Sequence, residues 1–229
     1  MAAAADLQPV MPVLAQAYEH ATGVKLVVSF GSSATLAEQI LNGAPMDIFL
    51  GADFVYPEKV VAAGLADGTS PTPYARGTLV LWARKDSPLQ PLSMELLTDP
   101  RVTRIAIANE MHAPYGRAAV SALRQLKLYD QTSPHFVIAE NIAQTAQFVE
   151  SGNAQVGFIS LTLASSPKFM AEGTFVRLPA IYPEIQQCGV VLKGSKNEGV
   201  GLDFLRWLTT KEVQATLVTM GLDSVNGLR

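Results

Sequence analysis

Three histidines, one cysteine and a few serine-bearing strand ends are the groups with which this chain could do chemistry. His20, His112 and His135 lie far apart, and no His-Glu-x-x-His or paired-cysteine spacing gathers metal-ligating side chains. A serine nucleophile needs a base, and that base needs a group that orients it. Ser33 with His112 is the pairing on which an enzyme would rest, and no third member is visible behind His112. The chain has no Gly-x-Ser-x-Gly elbow, and "LKGSKNEG" lacks the spacing of a nucleotide phosphate loop. No Gly-x-Gly-x-x-Gly follows a strand, so dinucleotide binding has no carrier. No catalytic residue, direct metal ligand or cofactor is assigned, and the chain is expected not to be an enzyme.

What remains is chemistry of binding. In "SFGSSATLAEQI", Ser29–Ile40, an apolar strand end runs into Gly31, Ser32 and Ser33 and then a helix. The same theme of a strand end feeding a helix start recurs in "AAAADLQP", "NEMHAPYGRAA" and "AENIAQTAQ". A helix start carries unpaired backbone N–H groups and roughly half a positive charge, and so attracts anions. None of the four stretches has Lys or Arg before its helix begins, and Arg117 falls inside one. Neutral donors with no acceptor suit a fully deprotonated tetrahedral dianion and offer nothing to a protonated one. Ordinary capping by Ser and Asp explains the same residues and stays open as the alternative. At Ser33 the residue three places on is Leu36, so no capping box closes there. Thr35 and Glu38 are placed to form one a turn later, which leaves the Ser33 hydroxyl for a ligand.

The elements that would position these groups alternate strand and helix, which predicts α/β with mostly parallel sheets. Asp6 is expected as the N-cap of a helix carrying Leu7, Val10, Met11, Leu14 and Tyr18, bent by Pro12 and ended by Gly23. "VKLVVSF", "MDIFLG", "GTLVLWARK", "RIAIAN", "HFVIAE", "QVGFISL" and "CGVVLKG" read as strands, with "MELLTD" as a helix. Crossovers at "GTLVLW" and "CGVVL" would make two α/β lobes joined by a two-crossover hinge: 1–79 plus 188–229, and 80–187, with a ligand cleft between them. One doubly wound sheet fits the pattern as well.

The 229 residues are 48% hydrophobic with a net charge of −3, which gives no electrostatic reason to expect nucleic acid as a partner. No apolar run approaches the ~20 residues needed to cross a bilayer. Cys188 stands alone, so no intramolecular disulfide is expected. The opening "MAAAADL" resembles the end of a buried strand, and a removed signal peptide is expected before it.

"SFGSSATLAEQILNGAPMDIFLGAD" resembles the periplasmic molybdate-binding proteins of ABC transporters, and the likeness continues through "IAIANEMHAPYGRAA", "AENIAQTAQ" and "YPEIQQCGVVL". The resemblance implies the type II periplasmic binding protein fold, molybdate or tungstate as ligand, a membrane permease as partner, a periplasmic location and a monomer. It further implies that Ser33, in the Ser32-Ser33 helix start, gives the anion a hydroxyl and an N–H, and that Tyr115 and Ile142 each give a backbone N–H. Ala5 and Asp6 fall where the family commonly has Ser or Thr-Asn, and Ser160 where some members place a tyrosine. A carboxylate 4 Å from a dianion costs ~4 kcal/mol per charge pair at an effective dielectric of ~20. Asp6 is therefore expected to turn its side chain away as an N-cap. If it points inward, a phosphate receptor using Asp6 as acceptor becomes the competing reading. A cytoplasmic sensor lobe would bring a DNA-binding segment, and none is visible.

Overall fold

The computed structural model describes residues 1–225. The chain divides into two compact units: unit 1 is Met1–Gly77 with the return of the chain from Gln186, and unit 2 is Thr78–Ile185. The two passages stand two residues before the expected boundaries (77 against 79, 185 against 187). The last four positions of the expected 188–229 segment lie outside the described residues.

Unit 1 begins with β1 (Ala2–Ala4), a 3-10 turn (Ala5–Leu7), α1 (Met11–Thr22), β2 (Ser29–Gly31), α2 (Ser33–Leu41), β3 (Ile48–Gly51), α3 (Val55–Ala62) and β4 (Thr72–Gly77). Unit 2 contains β5 (Leu79–Arg84), a 3-10 helix (Met94–Thr98), β6 (Ile105–Ala108), α4 (Pro114–Gln125), α5 (Tyr129–Thr132) and β7 (Phe136–Ala139). It continues with α6 (Ile142–Glu150), β8 (Val156–Ser160), α7 (Leu161–Ala164), α8 (Pro167–Glu172) and β9 (Gly173–Arg177). The chain returns through β10 (Ile185–Val191), α9 (Glu198–Leu208), α10 (Lys211–Thr219) and β11 (Leu222–Ser224).

The unit 1 sheet has the order β11-β4-β10-β3-β1-β2, and the unit 2 sheet β7-β6-β8-β5-β9. Both are mixed, which corrects the expectation of mostly parallel sheets. β1 runs parallel to β2 and β3, and β6 runs parallel to β7 and β8. β10 is antiparallel to β3, β11 to β4, and β5 to both β8 and β9. The parallel strands are those linked by helices, as a parallel crossover requires. β5 and β10, the strands that carry the chain into unit 2 and back into unit 1, pair antiparallel.

Three helical and strand expectations also change. Asp6 is not the cap of α1: it lies in the 3-10 turn, and α1 starts at Met11 with Pro12 at its second position. There the missing N–H is one the helix does not use, so proline starts the helix instead of bending it. α1 ends at Gly23, whose φ of +75° is the left-handed stop that glycine adopts without strain. Of "VKLVVSF" only Ser29 and Phe30 enter the ladder, because β1 offers β2 just three paired positions. The "MELLTD" segment is 3-10 rather than α.

Each unit has its own core. In unit 1 Leu7, Val10, Met11, Leu14 and Tyr18 pack with Phe204, Leu208 and Leu217 on one face of the sheet. Leu36, Ile40, Phe49, Tyr56 and Val60 pack on the other. Burying a side chain of this size is worth roughly 1.5–3 kcal/mol, which anchors α1 and α2 against the strands whose ends they follow. In unit 2 Trp82 of β5 is fully buried and meets Phe169 edge-on, with ring centroids 5.1 Å apart.

Candidate functional site

In unit 1 the Ser32–Ser33 junction divides its labour between the two hydroxyls. Ser32 is the N-cap of α2: its Oγ accepts the Thr35 N–H at 3.2 Å and donates to Thr35 Oγ1 at 2.7 Å. The helix is thus capped one turn before the capping box expected at Thr35 and Glu38, because the extended backbone of Ser32 (φ −69°, ψ 150°) sets the helix start. Ser33 is the first helical residue and is buried. Its Oγ accepts the Ala52 N–H at 3.0 Å, from the residue after β3. Using a lone pair for that bond leaves the Ser33 O–H proton available to donate. The cap takes the third helical N–H and leaves those of Ser33 and Ala34 at the start of the helix.

Ala5 and Asp6 lie in the turn at the end of β1, beside β2 and β3 in the same sheet. Asp6 is fully buried. Its side chain is not the expected helix cap: Oδ2 accepts a hydrogen bond from Gln187 Nε2 on β10. Gln187 Oε1 in turn accepts from the Tyr74 hydroxyl at 2.9 Å, and that hydroxyl also lies 3.3 Å from the Gly51 carbonyl oxygen. Tyr74, Gln187 and Asp6 are all buried. Burial, then the Asp6 charge and then Cys188, raise the Tyr74 pKa well above its ordinary value, so the hydroxyl keeps its proton. Cys188 pairs with Gly51 across β10 and β3, which puts Gln187 opposite Ala52 one step further along. The Asp6–Gln187–Tyr74 chain and the Ala52–Ser33 bond therefore meet at one end of the sheet.

In unit 2 the two helix starts are built differently from each other. α4 has no side-chain cap, and its first residue is Pro114, which has no N–H. The first amide donors of this helix belong to Tyr115 and Gly116, both buried. Gly116 is required by space: a Cβ there would sit 2.2 Å from the Ala108 carbonyl oxygen, so its absence lets α4 start against the end of β6. α6 is capped by Asn141, whose side chain accepts the Gln144 N–H at 3.0 Å, while Gln144 Oε1 accepts the Glu140 N–H at 2.7 Å. As at Ser32, the cap takes the third helical N–H, and Ile142 stands buried at the first position.

The remaining candidates have structural partners. Ser160 caps the short α7, with its Oγ 2.8 Å from Thr162 Oγ1. Asp53 accepts the Tyr56 N–H at 3.2 Å at the start of α3. His112 does have a group behind it, contrary to expectation: Glu140 Oε2 lies 3.4 Å from Nδ1. Both side chains are about half exposed, where such a pair is worth about 0–1 kcal/mol. Cys188 is fully buried, and burial together with Asp53 pushes its thiol up to about 12. Gln187, Tyr74 and the Ala52 N–H were not singled out from sequence. Their signal was weak: a glutamine inside the strand "IQQCGVV", where alternation turns one of two adjacent glutamines inward.

A family model described as bacterial extracellular solute-binding protein matches residues 1–223. The molybdate-binding protein ModA of Azotobacter vinelandii is 36% identical over 217 residues, covering 93% of this chain and 86% of its own length. The molybdate-binding protein ModA of Rhodobacter capsulatus is 33% identical over 196 residues, covering 85% and 76%. Among solved structures, the Azotobacter vinelandii periplasmic molybdate-binding protein superposes with a TM-score of 0.90 at 31% identity and covers 96% of each chain. The sulfate-binding protein SubI of Mycobacterium tuberculosis H37Rv has a TM-score of 0.81 at 15% identity, a likeness of fold alone.

Proposed function

The chain belongs to the bacterial extracellular solute-binding proteins and, within them, to the molybdate-binding group, and on that premise we propose that it is a receptor for molybdate. Its fold is the two-lobed type II fold of periplasmic binding proteins. The proposed ligand is the fully deprotonated tetrahedral oxyanion, molybdate or the equally charged tungstate. Ser33 gives it a hydroxyl and an N–H, the turn at Ala5 and Asp6 gives backbone N–H, and Tyr115 and Ile142 give backbone N–H from unit 2.

The observation that carries this reading is the state of the Ser33 hydroxyl. It is buried at the first turn of a helix, it accepts from Ala52, and its proton remains to be donated. A dianion accepts such protons and has none to give. In the proposed cycle the ligand-bound form is recognised by an ABC permease outside the cytoplasmic membrane. A ligand shifts a conformational equilibrium only by its differential affinity for the two forms, so the donors must align better in the bound form.

Thermal unfolding tests the reading. A ligand that binds only the native state stabilises it by RT ln(1 + [L]/Kd), so molybdate is expected to raise the melting temperature in a concentration-dependent way. An unchanged melting curve at millimolar molybdate would sink it. The phosphate reading would require the Asp6 carboxylate to accept the ligand's proton, and Gln187 competes for that role at Oδ2.

A further inference from the structure

We propose that Gln187 is the positioning residue that keeps this site selective for a proton-free oxyanion, by engaging the Asp6 carboxylate from within the protein. The inference rests on the receptor reading above and adds to it the origin of discrimination against hydrogen phosphate.

Of the six positions assigned to the ligand (Ala5, Asp6, Ser32, Ser33, Tyr115 and Ile142), only Asp6 is a carboxylate. A carboxylate at an oxyanion site has one distinctive use, which is to accept the proton of a protonated oxyanion. Gln187 competes with that use by donating Nε2–H to Oδ2, which takes up one of the two carboxylate oxygens. An amide presents a donor or an acceptor according to which way it is turned, and Tyr74 decides the turn. Its hydroxyl, 2.9 Å from Oε1, donates to the amide oxygen and so directs the nitrogen to Asp6.

The same hydroxyl lies 3.3 Å from the Gly51 carbonyl oxygen and has one proton to give. Donation to Gly51 alone would let the amide reverse, with Oε1 toward Asp6, an arrangement that suits only a protonated carboxyl. The observed direction of the amide, with its nitrogen toward Asp6, thus suits a charged carboxylate. The clamp is also well placed to act on the ligand. Gln187 stands opposite Ala52, whose N–H holds the Ser33 hydroxyl, so Asp6 and Ser33 are set from adjoining positions of β10 and β3.

The test is calorimetric titration of the wild-type protein, Gln187→Leu and Gln187→Leu/Asp6→Asn with sodium molybdate and with inorganic phosphate at neutral pH. Leucine keeps the bulk and removes the donor. Gln187→Leu is expected to lose at least about tenfold in molybdate affinity while phosphate affinity holds or rises, since a buried charge has lost its partner. Adding Asp6→Asn is expected to restore molybdate binding to within about fivefold of wild type, a rescue that general damage to the fold would not show. Should Gln187→Leu fail to fold, Tyr74→Phe frees the amide without changing shape and is expected to lower the molybdate-to-phosphate ratio about threefold. A ratio unchanged in the folded variant, or a loss that Asp6→Asn does not rescue, overturns the inference alone. No molybdate binding by the wild-type protein overturns the receptor reading, and the inference with it.

Discussion

Unit 1 and unit 2 both end parallel strands on buried helix starts, but they furnish those starts differently. In unit 1 two adjacent serines share the work, one capping and one held ready by Ala52, and a carboxylate is tied off through Gln187 and Tyr74. In unit 2 the start of α4 is a proline followed by amides, made possible by a glycine with no room for a side chain. Backbone N–H groups of a helix are fixed in direction and cannot be protonated or turned. Side-chain hydroxyls and amides can be turned and a carboxylate can be protonated, so these groups need supports. In the proposed receptor, unit 1 would accordingly carry the features that distinguish one oxyanion from another, and unit 2 would supply donors of fixed direction.

That contrast predicts a ranking of substitutions. The largest effect is expected from Gly116→Val. Its Cβ would meet backbone at 2.2 Å, so the start of α4 must move. Overpacking of this kind costs ~1–3 kcal/mol or more. Molybdate affinity should fall at least about a hundredfold, since a displaced helix start misaims its N–H groups. Binding within threefold of wild type would show that α4 contributes no donors.

Ser33→Ala comes next. It removes a donor to a charged ligand, worth ~1.5–3 kcal/mol, or about a 10- to 150-fold loss of affinity. It also leaves the Ala52 N–H without its acceptor, so the ligand-free melting temperature should fall too. A lowered melting temperature with full affinity would make Ser33 a structural residue only.

Asn141→Ala is expected to have the smallest effect on binding. The cap is worth ~1 kcal/mol of stability, and losing it also releases the Gln144 N–H. Chemical denaturation should show that loss while affinity changes by no more than about threefold. A tenfold loss of affinity would put the Asn141 side chain among the ligand's donors.

Much of this was legible in the sequence, for reasons that differ by element. Strand–helix alternation placed β3, β5, β6, β7 and β8 because each is an apolar run bounded by turn residues. β4, β9 and β11 were missed. "TPYARG" is broken by charge and proline, and "LDS" is too short to show a period. The turn at Asp6 was misread because Asp before an apolar periodic stretch is a good capping signal. Its actual partner lies 181 residues away, where local propensity says nothing. The Ser32–Ser33 division had the opposite fate: the junction was visible, but which serine caps depends on backbone angles.

Neutral donors at these helix starts are proposed to bind a fully deprotonated tetrahedral oxyanion. Isothermal titration of the ligand-free protein with sodium molybdate, repeated in excess sulfate and in excess phosphate, tests it most directly. Saturable binding of one molybdate per chain is expected, displaced efficiently by neither competitor. Absence of binding at millimolar molybdate, or equal displacement by phosphate, would contradict it.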